Sequence, residues 1–416
     1  MSRVVAMLSV FILAFYPEFY GISLIQPLAL VSYVYLFLNT KKLIKLIRQK
    51  NIFILILILS LLSLYLLIVS QMNTVGINDV VPILYLLFLV IPISLFIVFI
   101  LRSSNMLNIV EVFRVIVYAC MLQSFFGIAS YLFPPIQDFF IKQLSISGYS
   151  DVVTQISNFR MYGYSSSLTF ATPTLLSMVV VLFYTFKSKH TWISIISIVA
   201  ISFVAIINAR TSLIIFMIGI LSFLLFQNKK YWTRILLFMT ISLLVVLPVL
   251  NEPIVLNTSN QTFVWVISGF NEIVNFISGN SVDSGYFAYI TDRNVYELPK
   301  GLGLLFGTGN RIMGGANYLG VSSDVGYIND IWLGGILFSL IIYGLFVFIV
   351  LGIRNMMKYC NMKHYNFVAM FLLMSLISLN FKGFIFSYNS VANLILLVFI
   401  SLVYSSSQIR WNEVEI

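Results

Sequence analysis

The chain has 416 residues, 60% of them hydrophobic and only 9% charged, with a mean hydropathy of +1.01. A soluble domain carries about 25% charged residues, so a water-soluble globule is excluded, and the net charge of +10 is not read as a nucleic-acid surface. Continuously apolar runs such as 52–69 exclude a transmembrane β-barrel, whose strands alternate over about ten residues. Helices remain as the way to satisfy backbone polar groups in lipid.

In chain order, hydropathy predicts an all-α polytopic membrane protein with about twelve transmembrane helices in a single integral membrane domain, 1–416. The spans fall near 4–17, 22–39, 51–70, 80–101, 109–133, 168–186, 191–207, 211–227, 235–250, 331–352, 365–380 and 384–404. The first reads as a signal anchor: Arg3 precedes the apolar stretch, and Pro17-Glu18-Phe19-Tyr20 is a poor cleavage site. Two outer loops are long, 134–167 and 251–329, and connections of that length are usually functional or disordered. The second contains an amphipathic helix near 263–277: Phe263, Val266, Ile267, Phe270, Ile273, Val274 and Ile277 share one face, with Ser268, Glu272 and Asn275 on the other.

Basic residues set the orientation. One set of connections carries Arg3, Lys41, Lys42, Lys45, Arg48, Lys50, Arg102, Arg114, Lys187, Lys189, Lys229, Lys230, Arg234, Arg354, Lys358, Lys363 and Arg410. The other carries only Lys142, Arg160, Arg210, Arg293, Lys300, Arg311 and Lys382. The first set is predicted to be cytoplasmic, and both termini with it. Acidic residues do the reverse: of the 14, only Glu111, Glu413 and Glu415 fall on the inner side. A cation on the outer face runs against the topological bias, and an anionic substrate is the simplest reason for it.

Arg210 sits in Asn208-Ala209-Arg210-Thr211-Ser212, a very short outer turn. Its fork suits phosphate oxygens, and Thr211 or Ser212 is placed to cap the next helix; the alternative is an arginine that anchors a helix end. Arg160 lies in Asn158-Phe159-Arg160-Met161-Tyr162-Gly163-Tyr164, followed by three serines. A cation, a glycine and hydroxyls at a membrane entrance, Tyr162 among them, suit a polar head group; pairing with Asp151 is the other role. Arg293 and Arg311 belong to the second loop, in a stretch rich in glycine. The glycines lack the GK[ST] ending of a phosphate-binding loop and read as turns that let backbone approach a ligand. Arg293 also has Asp292 and Glu297 as neighbours for a simple ion pair. Asp324 precedes the tenth span, in Ser322-Ser323-Asp324-Val325-Gly326-Tyr327-Ile328-Asn329-Asp330. It suits a general base or the orientation of a sugar hydroxyl, with a helix cap or salt bridge as the alternative; Asp330 is expected to cap that helix. Tyr327 and Lys382 complete the substrate-binding candidates.

Cys120 and Cys360 suggest neither a disulfide nor a metal site. His190 and His364 both fall in inner connections, so the outer face has no histidine ligand or histidine base. No metal and no cofactor are expected.

Three patches carry a family resemblance: Phe159-Arg160-Met161-Tyr162-Gly163; Ala209-Arg210-Thr211-Ser212; and the stretch from Leu305-Phe306-Gly307-Thr308-Gly309 through Ser323-Asp324-Val325-Gly326-Tyr327-Ile328 to Gly334-Gly335-Ile336. With their order and membrane placement, the chain resembles the bacterial O-antigen polymerases of the Wzy type, within the O-antigen polymerase/ligase group, over nearly its whole length as topology. The resemblance implies a GT-C-like glycosyltransferase architecture in the inner membrane, with short helices in the two periplasmic loops. It implies transfer of a growing glycan from undecaprenyl diphosphate to a lipid-linked repeat unit at the periplasmic face. Arg160 and Arg210, with Asp324, then take catalytic roles, and Arg293, Arg311, Tyr162, Tyr327 and Lys382 bind substrate. The implied partners are the undecaprenyl-diphosphate-linked oligosaccharide, the lipid bilayer, a chain-length regulator and a flippase, with no nucleic acid. The chemistry expected is metal-independent and inverting. The related ligases place a histidine in the second loop where this chain reads Ser323-Asp324, which favours polymerase over ligase. A lipid-linked oligosaccharide flippase and a polymerase for capsule or exopolysaccharide are the rival functions.

Overall fold

The computed structural model of the chain describes residues 2–103, 109–144, 163–166, 171–186, 192–209, 211–226, 275, 278, 292–312, 322–383 and 386–414. Helix accounts for 82% of them. Helix α1 (Ser2–Phe15) leads into a two-residue antiparallel ribbon, β1 (Glu18–Phe19) and β2 (Ile22–Ser23), with Glu18 opposite Ser23. Then follow α2 (Ile25–Leu38), α3 (Thr40–Ile47) and α4 (Lys50–Met72). A 3₁₀ turn (Ile77–Asp79), α5 (Val81–Tyr85), a π-helical stretch (Leu86–Val90) and α6 (Ile91–Ser103) run on as one rod. The chain continues with α7 (Ile109–Leu132), α8 (Pro134–Leu144), α9 (Ala171–Phe186), α10 (Trp192–Asn208) and α11 (Thr211–Phe226). The described chain closes with α12 (Leu302–Phe306), α13 (Gly326–Tyr359), α14 (Tyr365–Leu379) and α15 (Ser390–Val414).

This is an all-α, multi-pass membrane protein. Among the described residues, five stretches are long and apolar enough to cross a bilayer: Lys50–Met72, Ile77–Ser103, Ile109–Leu132, Gly326–Tyr359 and Ser390–Ser407. Six more apolar helices are shorter: α1, α2, α14 and the apolar parts of α9, α10 and α11. The predicted window 235–250 lies outside the described residues, as does the amphipathic stretch near 263–277 apart from Asn275. The first predicted loop opens with α8, which packs on the β1 ribbon.

Helix α4 explains why lipid, and not water, is the surrounding medium. Its buried stripe is Ile52, Leu55, Leu59, Leu62, Leu66 and Val69, whereas Phe53, Leu57, Leu61, Leu64 and Ile68 on the other side are exposed. A helix that is apolar all round yet buried on one stripe only needs an apolar solvent for the rest. The core is organised around α15, in which every residue from Ser390 to Tyr404 is buried. Small residues such as Ala392 and Ser401 let neighbours approach, and Ser401 returns its hydroxyl to the Leu397 carbonyl at 2.7 Å. Helices α1, α6, α7, α9 and α13 all pack on it.

Among the described residues, polar and charged contacts gather at two opposite ends of this bundle. At one end Arg3 meets Glu111, with N and O 3.2 Å apart, and Glu111 also holds Arg114. Arg102 lies over the Tyr404 ring and Arg354 donates to Asn366 at 2.8 Å. At the other end Tyr20 N–H donates to Gln143 (2.8 Å), Tyr164 OH to the Glu18 carbonyl (2.6 Å), and Arg311 N–H to Asp79 (2.8 Å). Tyr164 is partly buried there, and burial together with the neighbouring Glu18 charge raises its phenol above the usual value.

Candidate functional site

The site is built on the head of α13. The helix starts at Gly326, five residues before the predicted span, and Val325, not Asp330, occupies the cap position. No side chain caps it. The Gly326 N–H donates instead to the Asn380 carbonyl, 2.7 Å away in the turn after α14. Asp330 is therefore inside the helix and fully buried, which corrects its expected capping role: tertiary partners have taken over the work of a cap.

A break follows. Gly335 adopts φ +71°, ψ −175°, outside helical space, so the carbonyls just before it lose their usual i+4 donors. All three are taken up by other segments. Trp332 O accepts from Thr308 N–H (2.7 Å), Leu333 O from Gly309 N–H (3.0 Å), and Gly334 O from Tyr65 OH (2.9 Å). This close apposition requires glycine. A Cβ on Gly307 would lie 2.5 Å from Gly334 Cα, and one on Gly335 would lie 2.2 Å from the Leu305 carbonyl oxygen. Gly307, in the glycine-rich stretch expected to admit a ligand, thus admits another segment of this chain's own backbone, and Gly335 is its counterpart on the helix.

Past Gly309 the loop is pinned to the same helix head. Asn329, fully buried, accepts from Ile312 N–H at 2.9 Å and donates to the Ser323 and Val325 carbonyls at 2.7 and 3.0 Å. Arg311, whose side chain is 4% exposed, brings its guanidinium to 3.7 Å from one Asp330 carboxylate oxygen. At that distance it is an ion pair and not a hydrogen bond. The other Asp330 oxygen accepts from Tyr343 OH at 3.0 Å and from the Asn380 amide at 3.4 Å. Tyr327 packs edge-on to Tyr343 and to Phe381, centroids 5.6 and 5.0 Å apart, and donates to the Ile377 carbonyl at 2.6 Å.

The remaining candidates gather nearby. Arg293 opens a 3₁₀ turn, Arg293–Tyr296, capped by the Asp292 carboxylate accepting from Asn294 N–H at 3.0 Å. That turn joins α13 through Val295, which shares an apolar cluster with Ile312, Val325, Ile328 and Trp332, and through the Trp332 indole N–H donating to Glu297 O at 2.9 Å. Asp324 and Lys382, both partly exposed, belong to segments in direct contact, since Gly326 abuts Asn380 and Gly383. The backbones carrying Arg293, Arg311, Asp324, Tyr327 and Lys382 therefore converge on one helix head. Arg160, Tyr162 and Arg210 lie outside the described residues. Of their neighbours, Gly163 packs against Gln123 and Gly127 of α7. Ser212 donates to the Ala205 carbonyl of α10 at 2.8 Å, so it ties two helices together and does not cap α11.

Sequence reasoning missed Asp79, Asn329, Tyr343 and Asn380 as members of this cluster. The available signal was Asn329-Asp330 directly ahead of a long apolar run: an ionisable group entering a membrane span is costly and needs partners. Chemically, the cluster holds a buried ion pair beneath a rim that carries Asp324 and Lys382. Among the described residues no group of histidine, cysteine and carboxylate side chains is arranged to hold a metal. No protein-family model, curated protein or solved structure matches this chain.

Proposed function

We propose that this chain is a glycan polymerase of the inner membrane that moves a growing saccharide from undecaprenyl diphosphate onto a lipid-linked repeat unit. The observation that carries the reading is the convergence on the α13 head. The backbones of Arg293, Arg311, Asp324, Tyr327 and Lys382, residues suited to an anionic sugar substrate, come together there from positions far apart in sequence.

Breaking the sugar–phosphate bond places negative charge on the diphosphate. Arg160 and Arg210 stabilise that charge; one such fixed donor is worth about 3 kcal/mol, or roughly a hundredfold in rate. Asp324, at the rim, orients or deprotonates the acceptor hydroxyl, and direct attack inverts the anomeric centre. Arg311 is buried against Asp330, so its part is to hold the loop; Tyr327 and Lys382 line the approach. Both termini lie in the cytoplasm.

The test is polymer length. Cells making the glycan with Arg210→Ala in place of the natural chain should accumulate single repeats, with partial recovery in Arg210→Lys. Normal long polymer from stably expressed Arg210→Ala refutes the proposal.

A further inference from the structure

A second feature lies between the helices, away from the α13 head. A cavity of about 340 Å³ lies between α7, α9, α10, α13, α14 and α15. Phe113, Val117, Met178, Leu372 and Ile395 are typical of its walls, and the polar side chains in the lining are Arg114, Tyr118 and Ser197. It is more than twice the size of the roughly 150 Å³ apolar cavity that stays dry and takes up benzene. Apart from those three, the lining side chains are hydrocarbon, aromatic or thioether, so the walls suit an apolar chain with a polar end.

Shape and charge narrow the choice. Along α7 the lining runs from Val110 to Met121, about 16 Å at 1.5 Å per residue. That is close to half the roughly 30 Å hydrocarbon thickness of a bilayer. The deep wall is closed, with Leu175 3% and Ile395 5% exposed, while Val110 is 51% exposed and the Arg114 side chain 42%. The cavity therefore opens along the α7 face, through the exposed stripe Val110, Arg114 and Tyr118 that starts in the helix's first turn. Arg114 and Arg3 flank Glu111 there, two cations to one anion. This is also the end that bears the cation-rich connections, which face anionic lipid in a cell membrane.

We infer that the cavity is a slot for one acyl chain of an anionic glycerophospholipid, with the phosphate held at Arg114. The inference rests on the membrane character of the bundle and is independent of the polymerase reading.

The test is native mass spectrometry of the full chain purified in mild detergent. The protein is offered equal amounts of palmitoyl-oleoyl phosphatidylglycerol and phosphatidylcholine, which share the same chains. The natural chain should retain phosphatidylglycerol at least tenfold over phosphatidylcholine. Val179→Phe combined with Ile395→Phe fills the slot and should lower retention of both at least tenfold. Leu372→Phe, from a third helix, serves the same purpose if the double variant does not fold. Arg114→Gln should keep a lipid but bring the ratio close to one. Equal retention by natural and filled chains overturns the inference, as does a natural chain that holds no lipid, or one in which undecaprenyl phosphate displaces phosphatidylglycerol.

Discussion

Removing the charge of Asp330 isolates what the buried pair contributes. In Asp330→Asn the shape of the side chain is kept, so Tyr343 OH retains an acceptor, but the negative charge beside the Arg311 guanidinium is removed. At 3.7 Å, and with an effective dielectric constant of about 20, the Coulomb term is about 4 kcal/mol. Breaking a buried pair from one side costs about 3–5 kcal/mol, whereas replacing both partners by apolar residues of similar size is often neutral. Asp330→Asn should therefore destabilise by about 4 kcal/mol. Arg311→Met combined with Asp330→Leu should cost less than about 2 kcal/mol, a coupling well outside additivity. The assay is unfolding in a denaturing-detergent titration, followed by far-UV circular dichroism. A single-variant cost below about 1 kcal/mol, with the double variant equal to the sum of the singles, would refute the reasoning.

Other outcomes follow from the same contacts. Gly335→Ala puts a Cβ 2.2 Å from the Leu305 carbonyl at φ +71° and should cost more than about 3 kcal/mol in the same titration. Asn329→Ala strands the buried Ile312 N–H; a loss of about 2 kcal/mol, with faster proteolysis near residue 312, is expected. His364 begins α14 at φ +67°, and burial together with the Lys363 charge holds its imidazole below the usual value. The unfolded chain then takes up a proton first, so stability is full above the free histidine value of about 6.5 and falls as pH drops towards the lower folded value. A thermal scan at pH 7.5 and 5.5 should show this drop, and His364→Asn, which tolerates the left-handed backbone, should reduce it.

The helical runs were legible because lipid imposes a simple rule: a long apolar segment must be a helix. What failed were features decided by contacts distant in sequence. The start of α13 reads as loop because Asn329 and Asp330 are polar; Ile312, Ser323 and Val325 satisfy the first, and Asn380, Tyr343 and Arg311 the second. Tyr343 gives no sign of its role, sitting in an apolar run thirteen residues from Asp330. The glycines signalled close approach correctly, but sequence cannot say whether ligand or chain does the approaching. Ser212 follows a helix junction and resembles a cap; its hydroxyl reaches back seven residues instead, to Ala205.

The break at Gly335 gives these contacts a common logic. Non-helical backbone in a membrane span is tolerated where protein covers it, and here Thr308, Gly309 and Tyr65 provide that cover. The head of α13, residues 326–334, is thereby separated from the apolar rod that follows and bonded to the 307–312 loop along its length. Its carbonyls hold the loop backbone; Asn329 and Asp330 hold Ile312 and Arg311. Head and loop must move as one unit, so a change at the buried ion pair reaches Asp324 through the short Ser323–Gly326 link. On this reasoning the pair matters to the rim even though Arg311 itself is closed to solvent. A Tyr65→Phe chain, which loses the hydroxyl bridging the Phe306 and Gly334 carbonyls, should loosen the whole unit by about 1 kcal/mol and speed amide exchange at both Gly309 and Ile312. Faster exchange at one of these alone would show that head and loop are separable.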